Sequence, residues 1–152
     1  MLGPGPGMID PDIRRLVYEQ AMAGDGIPTA AALAQRVRLP LDQVRASLER
    51  LASARILVLQ GESREILMAP PYSAIPTPFG VISGTRSSYA NCIWDALGVP
   101  VMQREPATIR TACGCCHEAM TLNVTPDGVK GGEGVAHFAV PASRWWEDIV
   151  FT

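Results

Sequence analysis

Apolar residues recur at three- and four-residue intervals in the first third of the chain and in short runs afterwards, which predicts helices first and strands later. Asp10-Pro11-Asp12 is expected to open a first helix, with a capping aspartate followed by proline at the first helical position. Ile13, Leu16, Val17 and Met22 give it an apolar face, Glu19 and Gln20 turn outward, and Gly24-Asp25-Gly26 stops it. Thr29 caps a second helix over Ala30 to Val37, where Leu33 and Val37 lie four apart. A third helix follows the turn at Leu39-Pro40, with Leu41, Val44, Leu48 and Leu51 on one side and Arg45, Glu49 and Arg50 mainly on the other. Two short apolar runs, Ile56 to Leu59 and Ile66 to Met68, flank a turn at Gln60-Gly61-Glu62-Ser63. Three helices and a hairpin make the pattern of a winged helix-turn-helix.

Four prolines between Pro70 and Pro78 predict an extended linker and place a domain boundary there. Beyond it, Gly80 to Gly84 reads as a strand and turn, and Asn91 as the cap of a short helix from Cys92 through Leu97 that Gly98 ends, with Val99-Pro100 outside it. Val135 to Val140 alternates as a strand with His137 on a small apolar face. The expected architecture is α+β: a Gly/Pro-rich disordered start (1–9), a winged-helix-like three-helix domain (10–70), and a cysteine-bearing domain (71–152) with a mainly antiparallel sheet and short helices.

Charge narrows the partners. The 152 residues carry 13 basic and 15 acidic side chains, so nothing at whole-chain level favours a polyanion. Residues 1–70 hold eight basic and eight acidic side chains, and Asp42 and Glu49 sit on the third helix beside Arg45 and Arg50. The winged-helix pattern therefore reads as a scaffold, with DNA an unfavoured partner. No leader-like or membrane-spanning apolar stretch is apparent, which points to the cytoplasm.

All four cysteines, Cys92, Cys113, Cys115 and Cys116, lie in the second half, a distribution that suits reduced thiols better than a disulfide framework. A cysteine in the first turn of a helix feels unsatisfied backbone N–H groups, which favour the thiolate, so Cys92 is a candidate nucleophile or soft-metal ligand. Asp95, three residues on, returns to the same helical face. Two groups that close compete for protons, and one can deliver a proton when a cation neutralises the sulfur. Trp94 on the same helix is the candidate wall of a substrate pocket, whereas Trp145-Trp146 and His137 are expected to pack. Cys113-Gly114-Cys115-Cys116-His117 holds three thiols within four positions. With Cys92 these three form the candidate metal-binding set: a soft ion is the expected guest, a structural zinc a less favoured one for want of four ligands, and a plain hairpin turn the alternative.

The segment Tyr89-Ala90-Asn91-Cys92-Ile93-Trp94-Asp95-Ala96-Leu97-Gly98-Val99-Pro100 resembles the part of the alkylmercury (organomercurial) lyase family in which cysteine, two residues and aspartate open a helix. Met120 to Pro126 and Gly134 to Pro141 are similar to downstream stretches of that family, and a winged-helix-like start belongs to it. The resemblance spans roughly residues 10–152. It implies protonolysis of a carbon–mercury bond, with Cys92 as a catalytic cysteine, Asp95 as the proton-handling carboxylate, an organomercurial substrate, low-molecular-weight thiols as partners, and no cofactor beyond the mercury ion bound as product. It also implies a second catalytic cysteine late in the domain, after a strand like Asp148 to Thr152. Cys116 is the last cysteine, so either the domain continues past Thr152 or the centre is completed otherwise. The alternative function is a thiol sensor or winged-helix regulator that holds a soft metal without breaking the carbon bond.

Overall fold

The computed structural model describes residues 9–150. Helices α1 (Asp10–Ala23), α2 (Ala30–Val37) and α3 (Leu41–Ser53) come first. Their apolar stripes meet in one core built from Ile13, Leu16, Val17, Leu33, Val44, Leu48 and Leu51, closed by Leu57 and Ile66. Leu41, counted with the stripe from its spacing, is 36% exposed at the start of α3. Thr29 caps α2 by accepting the Ala32 N–H at 3.2 Å, and the Glu65 carboxylate accepts the Ala30 N–H at 2.8 Å. Gly24 closes α1 in the left-handed region, φ 86°.

The start of α1 differs from expectation. Asp10 is helical and does not cap; its carboxylate accepts from the Ser47 hydroxyl at 2.7 Å and pairs with Arg50 at 2.6 Å, both on α3. The tertiary partners outcompete the local one. Of the segment expected to be disordered, residues 1–8 lie outside the described residues. Ile9 is buried, and its carbonyl accepts the Ile13 N–H at 3.0 Å.

Among the described residues, eight strands form one antiparallel sheet: β1 (Val58–Leu59), β2 (Ile66–Ala69), β3 (Tyr72–Ser73), β4 (Gly80–Ser83), β5 (Arg86–Ala90), β6 (Ala107–Ala112), β7 (Ala119–Thr125) and β8 (Gly128–Lys130). Their order is β1-β2-β3-β5-β4-β6-β7-β8. Helix and antiparallel sheet are thus combined as expected. The proline-rich segment takes part in this sheet, because β3 pairs with β2 on one side (Ala69 opposite Tyr72) and with β5 on the other (Tyr72 opposite Ala90). The Tyr72 side chain is buried, and its phenol oxygen accepts from the Gln103 amide at 3.3 Å.

Helix α4 (Ile93–Gln103) lies across β4 to β7. Ala96 and Val99 meet Val81, Ala90, Ile109 and Val124 in a second core. Expected to be about two turns long and to end at Gly98, α4 instead runs 11 residues, with Pro100 inside it and Arg104 as its left-handed C-cap. Burial of Val99 and Pro100 holds the helix through residues that locally disfavour it.

After β8 the chain forms a strap over the sheet. Gly131 (φ 83°) and Gly132 (φ 76°) carry it so close to β7 that a Cβ would stand 2.9 Å from the Thr121 carbonyl oxygen and 2.8 Å from Leu122 Cδ2, respectively. No strand forms over residues 135–140, and His137 is exposed rather than set in a core. The strap instead meets β7 through side chains, with Gly132 and Gly134 close to Met120 and Leu122. A 3-10 turn at Ala142–Glu147 follows. Residues 148–150 form no strand, and Phe151 and Thr152 lie outside the described residues. Among the described residues no helix is long and apolar enough to cross a membrane.

Candidate active site

Strand β5 ends at Ala90, and the chain turns through Asn91 into α4. Cys92 itself, in extended conformation (φ -150°, ψ -178°), is the N-cap, the role that sequence gave to Asn91. Its Sγ accepts the Asp95 N–H at 3.5 Å. This is the geometry of a serine cap with sulfur in place of oxygen: one of the helix's unsatisfied amides is turned onto the side chain.

Burial reverses the expected shift of the thiol. Loss of solvent pushes the Cys92 thiol above the usual cysteine value, and the neighbouring Asp95 charge pushes the same way; the amides of Asp95 and Trp94 oppose both without overcoming them. Cys92 is therefore a neutral thiol at neutral pH, not a resting thiolate. The Asp95 carboxyl is also held above the ordinary carboxylate range by burial, opposed by a hydrogen bond from Asn91.

Asn91 is the residue that sequence reasoning placed but misread. Its Nδ2 donates to Asp95 Oδ2 at 2.8 Å and lies 3.4 Å from the Tyr72 carbonyl oxygen, while its Oδ1 is buried with no protein partner. The signal was the four-residue spacing from Asn91 to Asp95, which puts both on one side of the turn into the helix. Tyr18 of α1 also lies within the electrostatic reach of Asp95, and its phenol donates to the Pro70 carbonyl at 3.1 Å.

Trp94 is 61% exposed. It forms one wall of a largely apolar cavity of about 550 Å³ whose other walls come from the strap, residues 136–142 and Trp145. Trp145 is fixed there by its indole N–H, which donates to the Val140 carbonyl at 2.9 Å, and by the Phe138 ring 5.0 Å away. Expected only to pack, Trp145 also lines this space. Trp146 instead lies under the Arg55 guanidinium, 5.6 Å from the ring centre.

The other three cysteines occupy the turn between β6 and β7. Cys113 is half-buried, and Cys115 and Cys116 are exposed. Among the described residues, no three or more His, Cys, Asp or Glu side chains are grouped to hold a metal ion, so Cys92 and the turn cysteines do not converge on one centre.

No match is found among curated proteins. Among solved structures, the crystal structure of the mercury-bound form of MerB2 superposes with a TM-score of 0.62 at 19% sequence identity, covering 81% of this chain and 59% of that one. The chain thus spans 59% of the length of the solved structure that it matches. The sequence profile described as MerB, alkylmercury lyase, matches residues 72–152, which include β3, the Cys92–Asp95 turn, α4 and the strap. That match takes in more than half of the sequence, and the chain belongs to the alkylmercury lyase family.

Proposed function

We propose that this chain cleaves carbon–mercury bonds in organomercurials by protonolysis, with Cys92 as the thiol that takes the metal and Asp95 as the carboxylate that moves the proton. The observation that carries this reading is the cap itself: Asp95 presents its amide to the Cys92 sulfur while Asn91 holds its half-buried carboxylate beside the same turn. A thiol that is neutral at rest needs a base when a metal arrives, and Asp95 is that base.

The electron flow is as follows. An alkyl- or arylmercury cation bonds to Cys92 sulfur, and the displaced thiol proton passes to the Asp95 carboxylate. A second thiol, from a low-molecular-weight partner, adds to mercury as thiolate and raises the electron density on the metal. The carbon–mercury bond then breaks, its electron pair leaves with carbon, and Asp95 returns the proton to that carbon, releasing a hydrocarbon. Thiol exchange frees the mercury ion from Cys92 and restores its proton. In this proposal the cavity between Trp94 and the strap receives the organic group, for which its apolar walls are suited.

The three helices and the β1–β2 hairpin are proposed to form a winged-helix-like unit (10–70) that serves as a scaffold for the cysteine-bearing unit (71–152), with DNA not a partner. The pairing of Asp10 with Arg50 and the stacking of Arg55 on Trp146 support that role, since both arginines are engaged within the protein.

Incubation with phenylmercury and a small thiol tests the proposal. The unaltered protein is expected to release benzene. Cys92→Ser should abolish release, because an alcohol is a far poorer ligand for a soft metal. Asp95→Asn should still bind phenylmercury while turnover falls by about 10²-fold or more, the scale of a lost general acid–base group. Binding of phenylmercury without benzene, persisting when the chain is extended to its next cysteine, would overturn the lyase reading in favour of a metal-holding sensor.

A further inference from the structure

The three thiols outside the candidate active site occupy an exposed turn whose backbone is fixed. The Cys113 N–H donates to the Glu118 carbonyl and the His117 N–H to the Cys113 carbonyl, both at 2.9 Å, with His117 in the left-handed region at φ 59°. Inside this frame the Cys113 sulfur accepts the Cys115 N–H at 3.4 Å. The Cys116 amide and thiol, with the Cys115 amide, hold the Cys113 thiol below its usual range. A two-residue gap whose amides converge on the first sulfur is the arrangement that turns two thiols toward one ion in metal knuckles.

We propose that Cys113 and Cys116 form a two-thiolate site for inorganic mercuric ion, separate from Cys92. The tight turn, closed by the His117 N–H on the Cys113 carbonyl and the Cys115 N–H on the Cys113 sulfur, brings residues 113 and 116 together before any ion arrives. Cys115 contributes its amide to the site and not its sulfur. Because the described residues offer no third or fourth His, Cys, Asp or Glu ligand to this pair, an ion that demands tetrahedral coordination is poorly served, whereas a soft ion content with two sulfurs is fully served. Loading is a thiol exchange: mercury held by two small thiolates passes to Cys113 and Cys116, two small thiols leave with the two cysteine protons, and nothing is oxidised or reduced. The site's exposure gives incoming thiolate complexes direct access. This inference stands without carbon–mercury cleavage, since its ligand is the inorganic ion.

The test uses the full chain carrying Cys92→Ser, so that only the turn thiols remain, and mercuric chloride competed against a monothiol. The expected result is retention of one mercuric ion per chain, with a near-ultraviolet sulfur-to-mercury charge-transfer band. Adding Cys113→Ser or Cys116→Ser should weaken retention by about 10²-fold, because the second sulfur then no longer binds intramolecularly. Adding Cys115→Ser should leave both retention and band unchanged. Far-ultraviolet circular dichroism confirms that each variant is folded. Failure of Cys92→Ser to retain mercury would overturn the proposal, as would a Cys115→Ser loss equal to that of Cys113→Ser. Benzene release from phenylmercury is scored separately on the unaltered chain, so the two proposals fail independently.

Discussion

At Cys92 and Asp95, burial moves both acids in the same direction, toward holding their protons. The sulfur is thus protected from casual oxidation and alkylation at neutral pH, and it becomes reactive when a metal displaces its proton. The rate of Cys92 alkylation by iodoacetamide should accordingly rise only at pH above the usual thiol range. Replacing Asp95 with asparagine removes the neighbouring charge that raises the thiol while leaving burial in place, so the profile should move to lower pH yet stay above that of an ordinary cysteine. Rates are best followed with Cys113, Cys115 and Cys116 changed to serine, to isolate one thiol. Superimposable profiles for the two proteins would show that the carboxylate does not act on the sulfur. The candidates Cys92, Asp95 and Trp94 were selected from the helix start and its spacing, and the structure places all three at that start. The direction of the thiol shift was not legible, because a helix terminus can be read from sequence whereas the depth at which it is buried depends on how α4 packs on the sheet.

At the level of elements, the strap is the part of the site least visible in sequence. Its alternating residues 135–140 satisfy the pattern of a strand, but the strap meets β7 through the side chains of Met120 and Leu122 and forms no ladder. The length of α4 was hidden for a related reason: Gly98 and Pro100 are local stop signals, and only the second core explains why the helix continues. By contrast, α1 to α3 were read with nearly correct limits, since an amphipathic stripe states both the helix and its buried side. The strap's seat on β7 depends on Gly131, where a side chain would meet the Thr121 carbonyl oxygen and the backbone is left-handed. Gly131→Ala should cost about 1–2 kcal/mol from the left-handed conformation alone. It should also lift the strap from the sheet and open the cavity beside Trp94. Phenylmercury affinity should fall and Trp94 fluorescence shift to the red, while Cys92 alkylation is unchanged. Unaltered affinity would remove the strap from the substrate site.

Across the whole molecule, two cores share one sheet, and Tyr18 and Ile27 pack against both. A defect in the helical core should therefore be felt at the candidate active site. Leu48→Ala, at a fully buried position in α3, should destabilise the chain by about 2–5 kcal/mol. Its urea midpoint should fall equally when followed by helix dichroism and by the fluorescence of Trp94, Trp145 and Trp146, which all lie in the second half. Separate transitions for the two probes would mean that the units unfold independently in spite of the common sheet. The cap on α4 has a consequence for the ancestry of such a molecule. Asp95 meets the sulfur through its main chain, and in the proposed mechanism it handles the proton through its side chain, so substitution reaches only the latter. Almost any residue except proline keeps the amide on Cys92, so a lineage that loses the carboxylate keeps the sulfur's setting and with it the means to seize a soft metal. A bond-breaking protein and a metal-holding one built on this turn are then neighbours in sequence space, one substitution apart, and selection can pass between them without rebuilding the fold.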